Sequence, residues 1–133
     1  MTGIPVQTRL DTLLVLAKDN ESKRKEFYEM LLQAHLYTIG TLEAEENATQ
    51  GTLKLSYFQG EGRWILPIFT QLAFLQKTMK EDMPVVRVRG KELFTAVDSE
   101  ATVVLNIGTE IDKTFTPEEV KDIASGKIYS YYK

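Results

Sequence analysis

The side chains that most often perform chemistry are sparse in this chain. It contains one histidine, His35, and no cysteine. A thiolate nucleophile, a disulfide framework and any cysteine-containing zinc site are therefore excluded. A catalytic histidine works with an orienting carboxylate and a nucleophile, and no such arrangement surrounds His35. It stands where a helical pattern gives way to a strand pattern, where capping or packing accounts for it. One histidine and scattered carboxylates make no metal-ligand set, and no metal or cofactor is expected. Gly60-Glu61-Gly62 lacks the lysine and hydroxyl residue of a phosphate loop and joins two strand-like runs, so it reads as a turn. Glu43, Glu45 and Glu46 form an acidic group in a polar stretch, which reads as solvated. Arg87 and Arg89 alternate along one strand, a spacing that suits either an anion or surface ion pairs. Trp64, near Phe58, Ile65 and Phe69, suits an aromatic recognition patch or, more ordinarily, a core.

The segment with the most interesting placement is Asn106-Ile107-Gly108-Thr109-Glu110. It follows the β-branched run from Thr102, which reads as a buried strand. In α/β sheets the carboxyl ends of such strands commonly present ligands. Asn106 and Thr109 offer hydrogen-bonding groups, and Gly108 allows close approach of another backbone. The same residues also make good turns, so a purely structural role stands beside the functional one. Thr70 and Gln71, at the end of the run from Leu66, are the expected neighbours of this loop.

The elements that must hold these residues follow from periodicity. Leu10, Leu13, Leu14 and Ala17 lie at helical spacing, with Thr8 as the expected cap. Asn20 or Ser22 then caps a second helix bearing Phe27, Met30, Leu31 and Ala34. His35–Ile39 reads as a short strand ending at Gly40, and residues 43–51 as a loop. Leu53, Leu55 and Tyr57 alternate, and a second β-rich run spans Arg63–Phe69; the turn at 59–62 makes these a hairpin. Pro67 marks an edge or a bulge. Thr70 is the expected cap of a helix carrying Leu72, Leu75 and Met79. Val85–Val88 is a strand, and Gly90 opens a short helix with Leu93, Phe94 and Val97. Thr116-Pro117-Glu118-Glu119 is a capping box with proline at the first helical position, and Gly126 closes that helix. Ile128–Tyr132 is a last strand or an aromatic tail.

Strands alternating with helices in the second half, together with a hairpin, imply an α/β (α+β) fold: a mixed sheet with an antiparallel hairpin, flanked by helices, with two helices at the start. Leu10, Leu14, Phe27, Leu31, Leu105 and Val120 are expected in its core. The length of 133 residues fits one domain, 1–133. A formal net charge of −3 argues against nucleic acid as a partner. No apolar run approaches the roughly 18 residues of a membrane span. Met1–Pro5 lack the features of a signal peptide, and the expected location is cytoplasmic.

Taken together, Glu26-Phe27-Tyr28 through Tyr37, Leu66-Pro67-Ile68-Phe69-Thr70, Gly90-Lys91-Glu92-Leu93, Val104-Leu105-Asn106-Ile107-Gly108-Thr109 and Thr116-Pro117-Glu118-Glu119 resemble the SseB N-terminal domain family. The resemblance runs from about the second helix to Gly126, and the succession of motifs carries it. The signature segments of that family fall on Leu66–Thr70 and Leu105–Gly108. The chain departs from the usual pattern at Ile107, where proline is common, and at Gln71, where a small polar residue is common. The resemblance implies a bacterial, cytosolic α/β protein with no established enzymatic activity; longer members carry a second, C-terminal domain.

The function expected from these observations is a non-catalytic binding or regulatory domain that contacts a protein or a small metabolite. Its contact residues are expected among Thr70, Gln71, Asn106, Gly108, Thr109 and Glu110. Two alternatives remain open: a small enzyme using the 106–110 loop, and an immunity-type or structural protein that occludes a partner's surface. The oligomeric state is not readable from these residues.

Overall fold

A computed structural model describes residues 6–44, 51–79 and 82–131. The acidic residues Glu45 and Glu46, the amino-terminal Met1–Pro5 and the terminal Tyr132 lie outside these residues. Two helices open the fold, α1 (Val6–Asp19) and α2 (Arg24–Gln33), linked by a 3-10 turn over Glu21–Lys23. Asn20 caps that turn by accepting from the Ser22 N–H at 3.1 Å. Thr8, the expected cap, lies inside α1, which begins earlier than its apolar stripe suggests.

Seven strands form one mixed sheet: β1 (His35–Ala44), β2 (Gly51–Leu55), β3 (Phe58–Gly60), β4 (Arg63–Phe69), β5 (Val85–Arg89), β6 (Thr102–Leu105) and β7 (Lys113–Phe115). Three further helices follow, α3 (Leu72–Thr78), α4 (Gly90–Ala96) and α5 (Pro117–Ser125). The central path runs β2-β1-β4-β6-β7, with β5 also on β1 and β3 also on β4. Only β4 and β6 run parallel among these pairs; the other five pairings are antiparallel.

Strand β1 is twice as long as its sequence suggests because Gly40 does not end it. Residues 35–39 pair with β5 and residues 40–44 with β2. A Cβ at Gly40 would stand 2.5 Å from the Lys54 carbonyl oxygen, so glycine is there for close approach of β2. Glu43 and Ala44 accordingly belong to the strand, not to a loop.

The expected hairpin is also differently built. Leu53 and Leu55 pair with β1, and only Phe58–Gly60 pairs with β4. Its two-residue turn has Glu61 at φ 52° and Gly62 at φ 75°, the double left-handed geometry that matches strand twist. Pro67 is interior to the sheet. Its carbonyl accepts from the Thr38 hydroxyl at 2.7 Å, so its missing N–H faces the same side. On that side β3 pairs at residues 63–65 and β1 at 68–69, and the proline falls in the gap between them. On the other side it pairs with Val104 of β6.

One face of the sheet carries the main core. Leu10, Leu13 and Leu14 of α1, Phe27 and Leu31 of α2, Leu93 and Phe94 of α4 and Val120 and Ile123 of α5 pack on Leu36, Leu66, Ile68, Val103, Leu105 and Phe115. The core residues read from the sequence are all here, each at most 3% exposed. The other face is covered by α3, where Ile39, Phe69 and Leu75 form a smaller cluster. Trp64 is half exposed and contributes to neither cluster.

Two helix starts behave differently. α5 has the full capping box, with the Thr116 hydroxyl accepting from the Glu119 N–H at 3.2 Å and the Glu119 carboxylate accepting from the Thr116 N–H at 3.5 Å. Gly126 ends it in the left-handed conformation. α3 begins after Gln71, not Thr70, and no side chain caps it. The described residues end in a 3-10 turn over Lys127–Tyr131, where the sequence reading expected a strand or an aromatic tail. No helix among the described residues is long and apolar enough to cross a membrane.

Candidate functional site

Strands β4 and β6 run parallel and end side by side, which brings Thr70 and Gln71 against the loop that leaves Leu105. The Asn106 N–H continues the ladder by donating to the Ile68 carbonyl at 2.7 Å. Asn106 then turns the chain with φ 56°, a left-handed conformation that asparagine tolerates better than most residues. Its carbonyl accepts from the Thr109 N–H at 3.1 Å and the Thr109 hydroxyl at 2.8 Å. The Thr109 hydroxyl in turn accepts from the Ile111 N–H at 3.2 Å.

The centre of this arrangement is Asp11, which the sequence suggests only as an acidic first-turn residue behind a Thr8 cap; α1 begins at Val6, so Asp11 lies beyond that turn. Asp11 is only 8% exposed. Its carboxylate accepts from the Thr70 hydroxyl at 2.6 Å, from the Gln71 side-chain amide at 2.7 Å and, more distantly, from the Asn106 amide at 3.5 Å. The Asn106 side-chain carbonyl accepts from the Thr70 N–H at 3.0 Å. Its amide also reaches the Ile111 carbonyl at 3.4 Å. The two ends of the Asn106 amide therefore have distinct partners that fix its orientation. Charge-assisted bonds to neutral donors satisfy a carboxylate that has no ion-pair partner among the described residues. A signal for Asp11 did exist: it sits next to Leu10 and one turn before Leu14, on the margin of an apolar stripe.

The six residues singled out from the sequence thus gather at one end of β4 and β6, but they divide into two layers. Thr70 and Asn106 are fully buried. Gln71 and Thr109 are partly buried, and Gly108 and Glu110 are exposed. The Thr78 hydroxyl of α3 donates to the Ile107 carbonyl at 3.1 Å, which fastens the loop from its other side. Chemically, the inner layer can hold a backbone shape, and the outer layer can meet another molecule.

Other candidates fall elsewhere. His35 is exposed at the start of β1, in register with Arg89. Arg89 donates to the Gln33 side chain at 3.0 Å, and Arg87 is exposed. Among the described residues no three metal-ligating side chains come together. Two tyrosines have hydroxyls of raised pKa: Tyr57, through burial and then the nearby Asp98 charge, and Tyr129, through burial and then Glu29. Both lie on the helix side of the molecule, packed at the rim of the main core.

A mixed sheet with four helices on one face and one on the other, its parallel pair ending in a carboxylate-centred hydrogen-bond network, defines an α+β domain. Within that class the assignment is specific. The sequence profile of the SseB protein N-terminal domain matches residues 10–122, and the chain belongs to that family. The match begins beside Asp11 and spans every residue of the network. No curated protein and no solved structure matches the chain.

Proposed function

We propose that this protein is a non-catalytic binding module that meets a protein or small metabolite with the outer layer of the 106–110 loop. The observation that carries this reading is the inward commitment of the loop's polar groups. Asn106 and Thr109 spend their side chains on Thr70, Asp11, Ile111 and the loop itself. The backbone around Gly108 and Glu110 is therefore held in one shape while remaining exposed. A surface ordered before contact loses little conformational freedom on binding, which favours affinity. In this reading Thr70 and Asn106 are supports, and Gln71, Gly108, Thr109 and Glu110 are the contact residues.

The enzymatic alternative would draw on the Thr70 hydroxyl, which is 2.6 Å from a carboxylate as a nucleophile is from its base. Thr70 has no exposed surface, and its oxygen faces Asp11 and Asn106. A substrate has no route to it without dismantling the network, so the binding role is preferred.

The test is site-specific photocrosslinking in the native host from position 110, with position 61 at the hairpin tip as control. A discrete crosslinked species from position 110 alone, diminished by Gln71→Ala in a protein of unchanged fold, is the expected result. Equal labelling from both positions, or none from position 110, overturns the assignment of this surface.

A further inference from the structure

Tyr37 and Thr38 of β1 pair with β4 on one side and with Arg87 and Val86 of β5 on the other, so β5 lies on the margin of β1 away from β4. The Gly40 N–H donates to the Pro84 carbonyl at 3.0 Å, and the Gly90 N–H to the Ala34 carbonyl at 2.7 Å. Backbone groups alternate in direction along a strand, so Val86 and Val88, between these two bonds, turn theirs toward β1. Val85, Arg87 and Arg89 turn theirs outward. The Arg89 carbonyl is taken by the start of α4. The N–H and carbonyl groups of Val85 and Arg87, and the Arg89 N–H, have no partner among the described residues. Such a row is a template for one more strand.

The side chains along this margin select what that strand carries. Val85, Arg87 and Arg89 are exposed and, two residues apart, share one face of the sheet. Arg87 has no carboxylate at ion-pair distance among the described residues, and Arg89 donates to the neutral Gln33 side chain at 3.0 Å. Carboxylates lie only toward the two ends of the strand. Glu29 shares a groove with Arg89 and with Lys91, which offsets it. Asp82 lines a cleft of about 580 Å³ at the other end, where Pro84 and Val85 are exposed and Met79 and Met83 partly so. The edge thus runs from two cations to an apolar end. A second copy of β5 does not suit it. Full antiparallel overlap sets Arg87 against Arg87 of that copy, and like charges directly opposite destabilise a pair.

We propose that the β5 edge binds an extended acidic segment of another protein, added antiparallel as a further strand. Read from its amino end, the segment is acidic, any residue, acidic, any residue, apolar. Its two carboxylates stand opposite Arg89 and Arg87, and its apolar side chain stands opposite Val85 beside the cleft. Backbone bonds to Val85, Arg87 and Arg89 hold it, and the alternate side chains select it. This edge shares no residue with the 106–110 surface, and either can fail without the other.

The probe is a capped peptide, Thr-Thr-Glu-Thr-Glu-Thr-Leu-Thr-Thr, with its Glu-to-Lys version and its reversed sequence as controls. Amide hydrogen exchange read by NMR reports the pairing residue by residue. With peptide at about ten times its Kd, exchange at Val85, Arg87 and Arg89 should slow about tenfold, while Val86 and Val88, already bonded to β1, stay unchanged. Arg87→Glu should weaken binding about tenfold with little change in melting temperature, and Arg87→Lys should keep most of the affinity. If Arg87→Glu does not fold, Arg87→Ala carries the test with an expected loss of about threefold. Absence of protection at the three outward amides overturns the proposal, as does equal binding of the lysine peptide. Protection that grows with protein concentration in the absence of peptide assigns the edge to a second copy and overturns it too. Tighter binding of the reversed sequence overturns the antiparallel order.

Discussion

The two turns at 61–62 and 106–109 are built from the same local device and do opposite things. Each places a non-glycine residue in the left-handed region and a glycine shortly after it: Glu61 at 52° and Gly62 at 75°, Asn106 at 56° and Gly108 at 83°. At the hairpin the side chains face solvent, and Glu61 accepts from Arg63 at 3.1 Å in an exposed pair. At the end of β6 the left-handed residue is buried and joins α1, β4 and its own loop. The difference lies in what precedes the turn. β3 is a three-residue strand at the margin, whereas β6 is buried along its whole length between β4 and β7. A left-handed residue after a buried strand has no water to satisfy it, so its polar groups must find partners within the protein.

The largest effect is expected from Asn106→Ala. It leaves the buried Thr70 N–H without its acceptor and puts alanine in a left-handed conformation, together costing about 3 kcal/mol. Denaturant melts measure this directly, and Asn106→Gly, which relieves only the backbone part, separates the two contributions. A loss no greater than that of Gly62→Ala would break the contrast between the turns. Next come the glycines themselves. Gly62→Ala faces open space and costs about 1 kcal/mol from its φ alone. Gly108→Ala bears the same backbone cost and also brings its Cβ to 3.2 Å from the Thr78 hydroxyl, so its midpoint should fall further. Equal midpoints would mean that α3 yields and that its bond to Ile107 does not fix the loop. The smallest change is Glu61→Asn. Asparagine suits the left-handed position, and the lost exposed ion pair is weak, so stability should move by less than about 0.5 kcal/mol.

The helix stripes, the buried run at Thr102 and the capping box at Thr116 were legible because each rests on local periodicity or local chemistry. The missed features depend on partners distant in the chain. Gly40 reads as a stop until β2 lies against it, and Pro67 reads as an edge until the gap between β3 and β1 is seen. The short strand β7 lacks a pattern long enough to register, since three residues show no alternation. At the candidate site, Asn106, Thr70 and Gln71 were expected together because the family's signature segments fall on both strand ends, while the parallel pairing that joins them emerges only in the folded sheet. Asp11 was not, because a single carboxylate beside an apolar stripe looks like first-turn charge until its acceptor sites are filled by Thr70 and Gln71.

The bond between Asp11 and Asn106 joins residues 95 positions apart. During synthesis, α1 must therefore wait until β6 and the turn after it have emerged before the Asp11 carboxylate meets all its donors. Until β6 emerges, β4 lacks its parallel neighbour, and Leu66 and Ile68 lack the strand that flanks them in the finished sheet. Pairings between distant segments form slowly, since loop closure comes before any gain from contact. A nascent chain paused before Thr102 thus leaves one edge of β4 unpaired, and with it a strand open to wrong partners.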